Sequence, residues 1–205
     1  MLSRVCLTSG LMSLSLLGTF AMMSGCGPKA FTQGAYDDPT RVELLDDKWN
    51  EADMQQMSDA IVAAMVKCDE ILKASKPPRV AVEQVLNRTE EHIDMRAMTD
   101  KIRTALIKSK KVKFINKEER STLEDEYVYN EGANVKEDSR KSRGKQTGLD
   151  YILSGAMATN IQQVGNDKFI YYKLTMNLTN VETSEIDCVE DKEIRKQFRK
   201  RRVGL

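Results

Sequence analysis

The residue best placed for covalent chemistry is Cys26, in the stretch Met22-Met23-Ser24-Gly25-Cys26-Gly27. A cysteine behind two small residues at the end of an N-terminal apolar run looks like a bacterial lipobox, MSGC in place of the commoner LAGC or LSGC. The chemistry expected is removal of residues 1–25 as a signal peptide and conversion of the Cys26 thiol to a lipid-bearing thioether. Gly27 in place of Asp after the cysteine is compatible with sorting to the outer membrane. Cys6 leaves with the signal. Cys68 and Cys188 remain as a possible disulfide in an oxidising compartment, or as two buried free thiols. Neither has zinc-site spacing, and His92 is the only imidazole, so no metal centre is expected.

Catalytic chemistry finds little support. The chain has no P-loop, no G-x-G-x-x-G, no G-x-S-x-G and no H-E-x-x-H. His92 follows Glu90 and Glu91 in a polar turn without a nucleophile or metal partner in the sequence pattern. Glu118, Glu119, Glu124, Asp125 and Glu126 offer carboxylates, but helical spacing spreads them over an exposed surface instead of facing two of them across a glycosidic bond. The expected class is a non-catalytic protein with no catalytic residues and no cofactor.

Charge narrows the partners. The 32 basic residues less Arg4 leave 31, against 31 acidic ones, so the mature chain is formally neutral. A general nucleic-acid binder would carry a basic surplus, and no nucleic acid is expected as partner. The exception is local: residues 192–202 hold Lys192, Arg195, Lys196, Arg199, Lys200, Arg201 and Arg202 and, within that stretch, Glu193 as the one acid. Arg195, Lys196, Arg199, Lys200, Arg201 and Arg202 are candidates for contact with an anionic surface, whether lipid headgroups or an acidic partner. A solvated tail is the bland alternative.

The elements that position these residues follow from composition and period. Residues 1–25 read as signal peptide, 26–40 as lipidated N-terminus and short tether, 41–191 as one globular domain and 192–205 as a basic C-terminal tail. The tether residues after Cys26 span at most about 50 Å when extended. Arg41 to Leu45 is expected as a short strand. Asn50 with Asp53 imitates a capping box and opens a helix whose apolar face runs from Met54 to Leu72, before Pro77-Pro78. Arg79 to Leu86 reads as a buried strand, with Asn87-Arg88-Thr89 as its exit. Met95 to Ile107 reads as a second helix and Val112 to Ile115 as a short strand. Asn116 with Glu119 opens a third helix to about Val128, and Ser139 to Gln146 is a helical piece in a polar loop. Asp150 to Gln163 and Lys168 to Thr179 pair across Gly165-Asn166-Asp167, and Glu182 to Ser184 turns into a strand over Glu185 to Glu190. The expected class is α+β, with helices on one mixed β-sheet and a C-terminal antiparallel meander.

Several strings, in order, resemble the LpoB-type outer-membrane lipoprotein activators of peptidoglycan synthases. They are Cys26, Lys48-Trp49-Asn50, Val85-Leu86-Asn87-Arg88-Thr89, Ile102-Arg103-Thr104-Ala105-Leu106, Val112-Lys113-Phe114-Ile115, Gly148 to Gly155, and Glu182-Thr183-Ser184-Glu185-Ile186. The likeness spans about Asp47 to Cys188. It implies a fold similar to the N-domain of TolB-type and the small domain of CsgG-type envelope proteins. It also implies a lipid anchor in the outer membrane, facing the periplasm. The implied partner is the non-catalytic docking domain of a bifunctional class A penicillin-binding protein, whose activities such proteins stimulate. The short tether and the basic C-terminus depart from well-studied members. The competing readings are a structural or assembly lipoprotein of another envelope complex, using the fold in the CsgG-like way, and an enzyme acting on the cell wall.

Overall fold

A computed structural model describes residues 34–200. Contacts divide the chain into two units, residues 1–37 and 38–205. Of the first unit, residues 34–37 are described; they are exposed and carry no regular secondary structure. The expected signal peptide, Cys26, Arg201 and Arg202 lie outside the described residues.

Among the described residues the second unit holds four α-helices and six strands, the helices on one mixed sheet. Helix α1, Glu51–Met65, opens on the expected capping box: Asn50 Oδ1 accepts from Asp53 N at 3.1 Å, and Asp53 Oδ2 accepts from Asn50 N at 3.0 Å. Its buried stripe includes Met57, Ile61 and Met65. The helix expected to reach Leu72 stops early. Lys67 N and Cys68 N bond back to Ala64 O and Met65 O, Cys68 turns extended at ψ 137, and a separate turn, α2, covers Asp69–Leu72. That break aims the Cys68 side chain at the sheet. Residues 41–45 form no strand; Val42, Leu44 and Leu45 are exposed, with no strand beside them to pair with.

The expected strand over Arg79 to Leu86 is two short ones, β1 (Arg79–Val82) and β2 (Leu86–Arg88), both parallel to β4 (Tyr151–Val164). Between them the chain detours: Val85 N donates to Thr99 Oγ1 at 3.1 Å, and that hydroxyl donates to Met95 O at 2.7 Å. Asn87-Arg88 is therefore strand, not exit. Helix α3, Met95–Ser109, is capped by Asp94, and β3, Lys113–Phe114, pairs parallel with β1. Helix α4, Arg120–Glu131, starts on an uncapped Glu119; Asn116 Oδ1 accepts from Glu118 N in the turn before it. The polar loop after it holds one 3₁₀ turn, Glu137–Ser139, short of the helical piece expected over 139–146.

The meander dominates. β4 pairs antiparallel with β5 (Asp167–Asn180) from Tyr151↔Asn180 to Val164↔Asp167, joined by a two-residue turn in which Gly165 takes φ 58. β5 pairs antiparallel with β6, Ile186–Arg199, giving the order β3-β1-β4-β5-β6 with β2 also on β4. One side of β5 is buried without interruption: Ile170, Tyr172, Leu174, Met176 and Leu178. They pack with Leu153 and Met157 of β4, with α1, and with Met98, Ile102 and Leu106 of α3. Gly155 on β4 is required by close approach: a Cβ there would stand 2.2 Å from the Met176 sulfur and 2.5 Å from Thr175 O.

β6 changes the reading of the C-terminus. It runs to Arg199, so residues 192–199 belong to the sheet and not to a tail. The reason is alternation at period two: Ile194, Lys196 and Phe198 turn toward the helices, while Arg195, Gln197 and Arg199 turn away. Ile194 and Phe198 are the apolar anchors that a count of charges hides.

Candidate functional site

The most heavily bonded polar group is at the start of α1. Lys196 is buried, and its ammonium donates to Asp53 and, at 2.7 Å, to Lys48 O. It lies 5.7 Å from the centre of the Tyr172 ring. The Tyr172 hydroxyl donates to Glu91, whose other oxygen accepts from Trp49 N at 2.9 Å. The Trp49 and Tyr172 rings meet edge-on at 5.3 Å. Lys168 of β5 reaches Asp47 at 2.7 Å. Together these bonds fasten residues 47–53 to β5, β6 and the turn before α3. Each of these polar groups is spent on another part of the chain, so the arrangement positions residues 47–53 on the sheet.

Burial, and then the hydrogen bond to Glu91, push the Tyr172 hydroxyl far above the ordinary tyrosine range. A folded-state value raised above the unfolded one gives stability that is complete below about pH 10 and is lost as pH rises toward the folded value. Denaturant melts at neutral pH and above pH 10 are expected to show this loss. Tyr172→Phe is expected to flatten the alkaline dependence while lowering stability at neutral pH by about 1 kcal/mol or more for the lost hydrogen bond.

The cations expected to meet an anionic surface are separated by the fold. Lys196 is withdrawn into the interior. Arg195 lies over the Phe169 ring at 4.9 Å, Arg199 Nε donates to Asp167 at 2.7 Å, and Lys200 is exposed. Cys68 and Cys188 come together, bonded, with Cα atoms 6.2 Å apart. Glu70 completes a group of three possible ligand atoms within 4.8 Å of one another. A bridge occupies both sulfurs and leaves no thiolate for an ion. His92 is exposed, Glu124 and Glu131 hold Arg143, and Glu118 lies 3.8 Å from Arg103. No carboxylate pair faces a cleft among these.

Three exposed surfaces stand out among the described residues. The side of the sheet away from α1 and α3 has a depression of about 680 Å³ over the small residues Ser154, Gly155, Ala156 and Ala158. Leu86 and Arg88 flank it on one side and Lys173 and Thr175 on the other. Lys173 is neutralised there by Asp191 at 3.0 Å and Glu193 at 3.3 Å. A second surface is the turn from α3 into β3, rich in lysine. A third is α4, where Leu123, Val128 and Tyr129 are exposed and only Asn130 is buried. Such surfaces suit a protein that docks on another.

The sequence model described as "Peptidoglycan-synthase activator LpoB" matches residues 48–194. The chain belongs to the LpoB family. The match spans the whole sheet except the last residues of β6. Among solved structures the chain is similar to the LpoB C-terminal domain from Salmonella enterica, at 19% identity and TM-score 0.46, over 70% of this chain and 99% of that one. It is similar to the same domain from Escherichia coli at 21% identity and TM-score 0.46, over 69% and 98%. The NMR structure of E. coli LpoB matches at 16% identity and TM-score 0.44, over 96% of each chain. No curated protein matches the sequence. No helix among the described residues is long and apolar enough to cross a membrane.

For this LpoB-family chain, reading the sequence missed two features. Lys196, counted among tail cations, is the buried partner of Asp53; its flanking Ile194 and Phe198 were the available signal. The lysines of the α3–β3 turn were passed over, although residues 101–117 hold Lys101, Arg103, Lys108, Lys110, Lys111, Lys113 and Lys117 and no acid.

Proposed function

We propose that the protein is a lipid-anchored, non-catalytic activator that binds a bifunctional class A peptidoglycan synthase at its docking domain and raises its activity. The observation that carries this is the family match over residues 48–194. The lipobox at Cys26 supports anchoring in the outer membrane with the domain facing the periplasm, since acyl chains add about 0.8 kcal/mol per buried methylene. The exposed sheet side, lysine turn and α4 support a docking role, because they offer surface without an acid–base pair. Activation of this kind is a coupling free energy: the lipoprotein binds the active form of the synthase more tightly, by about 1–3 kcal/mol in typical systems. Purification of the tagged lipoprotein from cross-linked envelopes is expected to bring down a class A synthase. Recovery of another envelope complex in its place, with no synthase, would favour the assembly reading.

A further inference from the structure

The α3–β3 turn is the end of the domain where positive charge is left without partners. Helix α3 closes on Lys110, which takes the left-handed φ of 58 at a position glycine usually fills. Lys108, Lys110, Lys111 and Lys113 are all exposed and join no ion pair among the described residues. The flanking cations are all engaged: Lys101 with Asp59, Arg103 with Asp100, Lys117 with Glu83. The helix dipole accounts for cations at Lys108 and Lys110, by about 0.3–1 kcal/mol each. It does not account for Lys111 and Lys113, which lie past the helix. Lys113 stands in register with Arg79 on β1, itself 3.9 Å from Asp150. In a mature chain of zero formal charge, this concentration is not a by-product of a basic composition.

A second observation says what kind of anion fits. Next to this turn, between α3 and the end of β3, is a cavity of about 240 Å³ with Val82, Ile107, Phe114 and Ile115 as its apolar walls and Arg103, Asn116, Lys117 and Glu118 as its polar ones. Ile107 and Phe114 are the chain neighbours of Lys108 and Lys113, and Ile107 is 49% exposed. The volume is below the roughly 300–1,000 Å³ of small-molecule sites and suits one inserted side chain. An acidic protein segment supplies both a run of carboxylates for the lysines and a single apolar side chain of the size the cavity takes. The turn also lies at the end of the sheet where β1 and β4 begin, opposite the end where Lys168 and Lys196 hold residues 47–53. Along β5, Lys168 and Asn180, the partner of the first residue of β4, are twelve residues apart, about 40 Å.

We propose that this end of the domain docks an acidic protein segment carrying an apolar anchor residue. Resting on the function proposed above, the segment is placed on the docking domain of the class A synthase. The lysines govern encounter and orientation, and the cavity governs residence.

The test measures binding of the mature lipoprotein to the purified docking domain of its own organism's class A synthase at low and high salt. Lys108→Gln, Lys110→Gln, Lys111→Gln and Lys113→Gln, combined, are expected to slow association about tenfold at low salt and remove most of its salt dependence. Ile107→Ser is expected to speed dissociation with association unchanged. Thermal melts monitor folding, which these exposed substitutions leave intact. Equal binding by wild type and the lysine variant would overturn the inference and leave the activator function standing. If the wild type itself fails to bind, the activator reading falls, and a photo-crosslinker at position 111 in intact envelopes decides the rest. Crosslinks to an acidic protein segment uphold the docking end; crosslinks only to lipid or sacculus overturn it.

Discussion

Lys196→Met is expected to be among the most damaging single substitutions in the domain, lowering stability by about 3–5 kcal/mol. The side chains of Lys196 and Asp53 are 2% and 4% exposed, so removing the ammonium strands a carboxylate in the interior. Asp53 would keep its bond from Asn50 N, and Lys48 O would lose a donor. Against a typical total of about 5–15 kcal/mol, the melting temperature should fall by roughly 6–20 °C. The cause is separable from packing. Asp53→Asn added to Lys196→Met removes the buried charge while retaining an oxygen for the capping box, so the double variant is expected to be more stable than Lys196→Met alone. If the double variant is the weaker, the loss is one of shape and the buried-charge explanation is wrong.

Replacing Cys68 and Cys188 by serine is expected to cost about 2–4 kcal/mol under oxidising conditions. The pair closes a separation of 120 residues and ties the end of α1 to β6. For a loop of that length the chain-entropy model gives about 5 kcal/mol, an upper figure because unfolded chains retain structure. The comparison is a denaturant melt of wild type and variant, each with and without reductant. Reductant should bring the wild type down to the variant and leave the variant unmoved. A wild type insensitive to reductant, with both thiols free to react, would mean that the pair is not bridged in the envelope.

The elements with a single strong local signal were readable before any coordinates. Asn50 and Asp53 announce the start of α1, and Gly165-Asn166 announces the β4–β5 hairpin because few residues accept a φ of 58. The mixed sheet with an antiparallel meander follows from those signals and the order of periods. What failed to show depends on contacts distant in sequence. The break after Met65 arises where the chain turns Cys68 toward Cys188, 120 residues away. The split of β1 from β2 depends on Thr99 capturing Val85 N. The length of β6 was hidden because Lys196 finds its counter-ion at Asp53, a pairing separated by 143 residues. Of the candidate site, Cys26 lies outside the described residues, and its reading rests on local sequence alone. A docking surface is not legible in that way: it is made of side chains that find no partner within the domain, and that is known only when the domain is folded.

The central proposal is activation, and the most direct measurement is the rate of lipid II polymerisation by the organism's own class A synthase as the protein is added to saturation. A coupling of about 1–3 kcal/mol corresponds to a rise of roughly 5–150-fold in the relevant equilibrium. The predicted result is therefore a saturable, severalfold increase in rate that the lysine variant needs higher concentrations to reach. An unchanged rate at concentrations where binding is complete would contradict the account.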